Sequence, residues 1–260
     1  ALASEIFIDK SLLIEKTNRM IGTLQRFVCV SRPRRFGKSM AADMLAAYYG
    51  SGKDTSTLFD SLKISGCKTY RQNLNQYDVL KINMQEFMSA TNSMDEMISV
   101  LQQRIMEDLK RQYPVQVMGD NLIFAMQDIY ADTGRAFVIL IDEWDCLFRE
   151  YKQDKGAQKK YLDFLRAWLK DKDYVSLAYM TGILPIKKYG SHSALNMFSE
   201  FSMTNPREMA EFFGFTELEV KALCEKYKRS FEETRAWYDG YELVSMDGDI
   251  QKNCSMYSPK

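Results

Sequence analysis

The stretch RFVCVSRPRRFGKSMAADMLAAYYG, residues 26–50, narrows the choice of fold more than any other part of the chain. RFVCV is a short apolar run and reads as a buried strand. MAADMLAAYY is rich in Ala, Met and Leu and reads as a helix stopped by Gly50. Between them lies Gly37-Lys38-Ser39. Strand, loop, Gly-Lys-Ser and helix form the context that a phosphate-binding loop requires. Such a loop works through inward-pointing backbone N–H groups at the positive end of a helix. Its lysine reaches the outer phosphates and its serine hydroxyl ligates Mg²⁺. The full motif G-x-x-x-x-G-K-[ST] places its first glycine at residue 32, which here is an arginine. Arg32-Pro33 must therefore make the turn, and a basic surface turn before a helix is the competing reading.

A second motif bears on that choice. AFVILI, residues 136–141, is a continuous apolar run, as expected of a central parallel strand covered on both faces. Asp142 and Glu143 follow it directly, about 100 residues after the loop. In a phosphate-loop ATPase the first acid supports Mg²⁺ and the second activates the attacking water. Ligands of open α/β sheets bind at the carboxyl ends of strands, where both acids would lie. The bland alternative is an acidic helix N-cap, a role that Asp145 in DEWD also suits. YVSLAYMTGIL, residues 174–184, is a further strand ending in Thr181. Thr181 is read as a sensor of the terminal phosphate or as a plain strand-end threonine.

The rest of the chain fits this frame. YDVLKINM, residues 77–84, reads as a strand, and residues 94–112, 119–131 and 159–170 as helices. Strands alternating with helices imply a mostly parallel, doubly wound α/β sheet. From about residue 205 the pattern changes to NPREMAEFFG, FTELEVKALCEKY and SFEETRAWYDGY, which read as short helices. Two units are expected, a nucleotide-binding domain over residues 1–204 and a small helical appendage over 205–260. Thr216 and Glu219 are spaced as a capping box. The last twenty residues look polar and weakly patterned.

Composition excludes several classes. Net charge is zero, which lends no support to a protein devoted to nucleic acid. Cys29, Cys67, Cys146, Cys224 and Cys254 are scattered and form no C-x-x-C pair, arguing against a disulfide framework or zinc ribbon. A reducing, cytoplasmic setting is expected. The single histidine, His192, rules out a metal site needing two, and its polar surroundings give it no catalytic role. No apolar run approaches the roughly 18 residues needed to span a bilayer, and ALASEIF does not read as a signal peptide.

The run FIDKSLLIEK, VCVSRPRRFGKSM, FVILIDEWD, YMTGIL, FFGFTELEV and WYDGY, from Phe7 to Tyr241, resembles the AAA-ATPase-like family of bacterial and archaeal proteins. That family's loop reads approximately RPRRFGK[ST], so Arg32 belongs to the pattern. The resemblance implies a phosphate-loop ATPase of the additional-strand, catalytic-glutamate type with ATP and Mg²⁺ as cofactors. Arg34, Arg35, Phe36, Gly37, Lys38, Ser39 and Met40 would form the cradle, with Lys38 on the phosphates and Ser39 and Asp142 on Mg²⁺. Glu143 would be the base. Asp9 and Lys10 fall in the family's lead-in, expected to pack near the base or loop, against the alternative of a capping aspartate and a solvated lysine. Members often continue into a PD-(D/E)xK nuclease-like domain; residues 242–260 show no D…ExK constellation. Pro185-Ile186 stands where a basic or polar residue is expected.

Three function classes follow. The first is an Mg²⁺-dependent ATPase whose cycle drives or gates the C-terminal region, a downstream domain or a protein partner. The second is a nucleotide-gated interaction module with little hydrolysis, and the third is a nucleic-acid-binding module using the arginine loop. No N-K-x-D guanine-reading motif is present. Arg34 and Arg35 would brace the loop against carboxylates, steer nucleic acid or reach a neighbouring nucleotide. Arg207 and Arg235 are read as arginine fingers or as surface salt-bridge partners. Phe212, Phe213, Phe215, Trp237, Tyr238 and Tyr241 are expected to form the core of the appendage. Oligomeric state is left open.

Overall fold

A computed structural model of the chain describes residues 6–186, 195–238, 240–247 and 250–258. In chain order come α1 (Leu12–Met20), β1 (Phe27–Ser31), α2 (Lys38–Tyr49), α3 (Ser56–Phe59), α4 (Tyr70–Asn73) and β2 (Asp78–Asn83). Next are α5 (Met84–Ser89), α6 (Met94–Gln112), α7 (Leu122–Thr133), β3 (Phe137–Asp142), α8 (Cys146–Glu150), α9 (Lys155–Leu169), β4 (Val175–Gly182) and β5 (Ser199–Phe201). The last part holds a 3-10 turn at Arg207–Phe212, then β6 (Phe215–Thr216), α10 (Glu217–Lys226), α11 (Phe231–Trp237), β7 (Tyr241–Asp247) and β8 (Ile250–Tyr257).

The first five strands form one sheet in the order β2-β3-β4-β1-β5, and every pairing is parallel. The apolar run of β3 explains its central place. Phe137, Ile139 and Ile141 face one core cluster with α6, α7 and α9, while Val138 and Leu140 face another with α1 and α2. A strand buried on both faces needs a continuous apolar run. β4 lies between β1 and β3, so the loop strand and the acid-bearing strand are separated by one strand. This is the mostly parallel sheet that the alternation of strands and helices implies, with the additional strand that the resemblance implies.

The C-terminal part differs from expectation. Residues 205–260 are not purely helical: β6, β8 and β7 form a three-stranded antiparallel sheet beside α10 and α11. The final polar segment is most of a hairpin. Its inward positions include Leu243, Cys254 and Met256, all buried. None of these is β-branched or aromatic, so the period-2 pattern was faint. The expected aromatic core also needs correction. Phe213 is buried in the main core beneath the large sheet, whereas Trp237 is 83% exposed and Tyr238 and Tyr241 are open to solvent. The Thr216–Glu219 capping box is present with both its hydrogen bonds. His192 lies outside the described residues. Among the described residues no helix is long and apolar enough to cross a membrane.

Candidate functional site

The loop between β1 and α2 begins with a buried arginine. Arg32 is fully buried, and its backbone N–H donates to Gly182 O at 3.0 Å. Its guanidinium donates to Ser31 O at 2.9 Å, Phe201 O at 2.6 Å and Met209 O at 3.4 Å. It also sits over the Phe213 ring, 5.4 Å from the centroid. No carboxylate pairs with it among the described residues. Burial pushes the group down to about 10, which leaves it charged at neutral pH. Arg32 therefore pins the start of the loop to β5 and to the turn at Arg207–Phe212.

The turn itself uses two left-handed residues, Arg35 at φ 69° and Gly37 at φ 79°. Gly37 is the N-cap of α2, so the loop delivers the chain into the helix start with its free N–H groups. Lys38 is buried, and its Nζ donates to Arg32 O at 3.0 Å and Pro33 O at 2.9 Å. Burial pushes the Lys38 ammonium down from its ordinary value; the carboxylates of Glu143, Asp142 and Asp145 oppose this, and Arg149 adds to it. Ser39 and Met40 are exposed at the first turn of α2. Phe36 is buried in the core with its ring 5.5 Å from Tyr241. Of Phe36, only the backbone is left to serve a ligand, and its carbonyl accepts from Gly214 N at 3.1 Å.

Asp142 and Glu143 stand at the carboxyl end of β3. Asp142 is buried, and its Oδ1 accepts from the Thr181 hydroxyl and from Glu143 N. Thr181 is fully buried, at the end of the neighbouring strand β4, so its proton is committed to Asp142. Glu143 adopts φ 54°, a left-handed conformation that a non-glycine residue takes at a cost. Its carboxylate pairs with Arg149 of α8. Asp145 begins α8 but makes no side-chain cap; its Oδ2 accepts instead from Ile183 N at 3.1 Å and Leu184 N at 2.8 Å. Gly182 is required here, because a Cβ would lie 2.7 Å from both Asp145 Oδ1 and Trp144 Nε1.

Lys38 and Glu143 line one cleft of about 1460 Å³, bounded by the lead-in, the loop and the C-terminal part. Arg34 and Arg35 are exposed along it, and among the described residues neither has a carboxylate partner. The expected bracing of the loop by these arginines is therefore not what the structure shows. Arg207 lies over the Phe201 ring, 5.9 Å from the centroid. Arg235 is exposed on α11. Neither lines the cleft, whereas Arg229 does. Asp9 caps, accepting from Ser11 N and Lys63 N, each at 2.8 Å. Lys10 is not solvated: it bonds Glu219 and Glu211 O, both at 2.6 Å, and ties the lead-in to the C-terminal part. Ile186 is buried, so the position expected to be basic or polar packs in the core.

Sequence reasoning missed Arg149, Lys10–Glu219 and Gly214. Arg149 had a readable signal, since Asp145 and Arg149 are spaced i,i+4 on one helix face. The other two join segments roughly 200 residues apart, which no local pattern reveals.

A parallel sheet with a Gly-Lys-Ser loop after β1, an acid pair after β3 and one strand between them defines a phosphate-loop nucleotide-binding fold. Within that class the chain belongs to the AAA-ATPase-like family, described as predicted AAA-ATPases, whose pattern matches residues 2–191. An uncharacterized protein in the vnfD 5′ region of Azotobacter chroococcum mcd 1 is 25% identical over 223 residues. That match covers 82% of this chain and 41% of the relative, so the chain spans less than half of that protein's length. Among solved structures, the Aeropyrum pernix ORC2 protein in its ADPNP-ADP complexes has a TM-score of 0.44 at 10% identity, covering 86% of this chain and 53% of that one. Its ADP form gives 0.43 at 11% identity, covering 86% and 54%. That likeness is too distant to carry any functional inference.

Proposed function

We propose that the chain binds ATP with Mg²⁺ and hydrolyses it, and that the cycle moves or gates the C-terminal part, a downstream domain or a protein partner. The observation that carries this reading is the meeting of Lys38 and Glu143 on one cleft, with Asp142 behind them. Lys38 would turn from the carbonyls of Arg32 and Pro33 to the outer phosphates, which answer its charge better. Arg34, Arg35 and the N–H groups from Phe36 to Met40 would hold the phosphate chain.

The donor set fits Mg²⁺. Asp142 has one oxygen engaged by Thr181 and Glu143 N, and among the described residues nothing hydrogen-bonds its other oxygen. Ser39 is exposed, and among the described residues no side chain or carbonyl bonds its hydroxyl. Ser39 and Asp142 would hold the ion, which when bound offsets phosphate charge. Thr181 would act through Asp142, fixing the orientation of that carboxylate. Glu143 would take the proton of the attacking water. Turnover by the whole chain and its loss in Glu143→Gln test this reading; full turnover in that variant would remove Glu143 from the role.

A second reading, a nucleotide-gated module with little hydrolysis, draws on the contacts between loop and C-terminal part. Phe36 and Arg32 both bond across that boundary, so a loop rearrangement would be felt there. ATP-dependent change in size or partner docking without phosphate release would favour it.

A further inference from the structure

Glu143 needs something to hold it. Its backbone is left-handed, its side chain is 23% exposed, and among the described residues Arg149 is the side chain that pairs with it. Arg149 is itself only 16% exposed. Its Nε lies 3.5 Å from Asp145 Oδ2, an ion contact too loose for a hydrogen bond. That Asp145 oxygen also takes the N–H groups of Ile183 and Leu184, just beyond Thr181. Leu184 O in turn accepts from the Ser31 hydroxyl at 3.1 Å, at the end of β1. A continuous set of contacts thus runs from the loop strand, through the end of β4, to Asp145, Arg149 and Glu143.

We propose that Arg149 is a positioning residue, holding the Glu143 carboxylate at the cleft and tying its place to the segment after Thr181. The inference rests on the ATPase reading and adds to it a residue that neither motif contains. A side chain of α8 sets where the base stands, and the β4 end sets where that side chain stands. Arginine suits the task, because its planar fork orients the Glu143 carboxylate while its delocalised charge also faces Asp145, whereas lysine offers a point charge. The arrangement does not require Arg149 to touch nucleotide, so its loss should act on turnover and leave binding alone.

The test is steady-state ATP hydrolysis by the whole chain as Arg149→Gln and Arg149→Lys, with Mg²⁺-ATP affinity and thermal unfolding measured beside it. Arg149→Gln should lower kcat by about 10- to 100-fold with KM and Kd nearly unchanged. Arg149→Lys should recover part of kcat. An unchanged kcat in Arg149→Gln would overturn the proposal, as would a raised KM at unchanged kcat, which would place Arg149 on the nucleotide. Equal loss in both variants with a matching fall in Tm would reduce Arg149 to a structural role and also overturn it. Should Arg149→Gln fail to fold, Arg149→Lys decides by the same split between kcat and KM. An unsubstituted chain that binds Mg²⁺-ATP without turnover would overturn the ATPase reading, and the positioning role with it.

Discussion

The hydroxyl of Thr181 donates to the carboxylate of Asp142, joining the ends of β4 and β3. The strand inserted between loop and acids therefore takes part in the site by fixing one oxygen of Asp142. Thr181→Val keeps the shape and removes the donor. Leaving a buried acceptor short of a partner costs about 1–3 kcal/mol. The expected outcome is a lower Tm and weaker Mg²⁺-dependence of ATP binding, read by calorimetric titration at several Mg²⁺ concentrations. Unaltered Mg²⁺-dependence would separate Thr181 from the ion.

Glu143→Gln should preserve Mg²⁺-ATP affinity and reduce turnover by about 100-fold or more, the usual worth of a general base. Phosphate release and equilibrium binding on the same sample check both halves. Weakened binding with normal turnover would assign Glu143 to the ligand and not to the reaction.

Arg32 occupies the place of the motif's first glycine, so Arg32→Gly recreates the ordinary sequence. The structure predicts that this change harms the protein. Ser31 O, Phe201 O and Met209 O lose a shared buried donor, at a cost of about 2–4 kcal/mol. A lowered denaturant midpoint is the expected readout. A glycine variant of equal stability would show that the guanidinium pin is dispensable.

Alkaline pH should unfold the chain through its tyrosines. Burial raises Tyr48 and Tyr70 to about 12, and Tyr113 likewise to about 12, with hydrogen bonding to Asp78 adding to burial there. Groups raised in the folded state hold protons that the unfolded chain has released. Their contribution is complete below about pH 10, the unfolded value, and is lost as pH rises toward 12. Denaturant midpoints should fall across that window as tyrosinate absorbance rises. A flat midpoint there would contradict the burial of these rings.

Much of this architecture was legible because its signals are local. The β3 run and its two acids, the Gly-Lys-Ser loop and the Thr216 cap each occupy a few adjacent residues, and each fixes a strand, turn or helix by sterics and burial. What was not legible depends on contacts between distant segments. Sequence alone left Lys10 between packing near the loop and solvation, and Arg34 and Arg35 between bracing and reaching a ligand, until Glu219 is seen beside the one and the cleft beside the others. The hairpin of β7 and β8 was hidden because its inward side uses Leu243, Cys254 and Met256 in place of a run of β-branched residues. Trp237 misled in the opposite way: an aromatic in a helix suggested a core, yet the side chain stands in solvent.

In the proposed function, Lys38 and its loop hold ATP although Arg32 replaces the motif's first glycine. Thermal unfolding of the chain with and without Mg²⁺-ATP, beside Lys38→Ala, tests it most directly. A ligand bound only by the folded state stabilises by about 2.7 kcal/mol at a hundredfold excess over Kd. Tm should rise clearly in the unsubstituted chain and not at all in Lys38→Ala. Equal shifts in both proteins, or no shift in either at millimolar ATP, would contradict it.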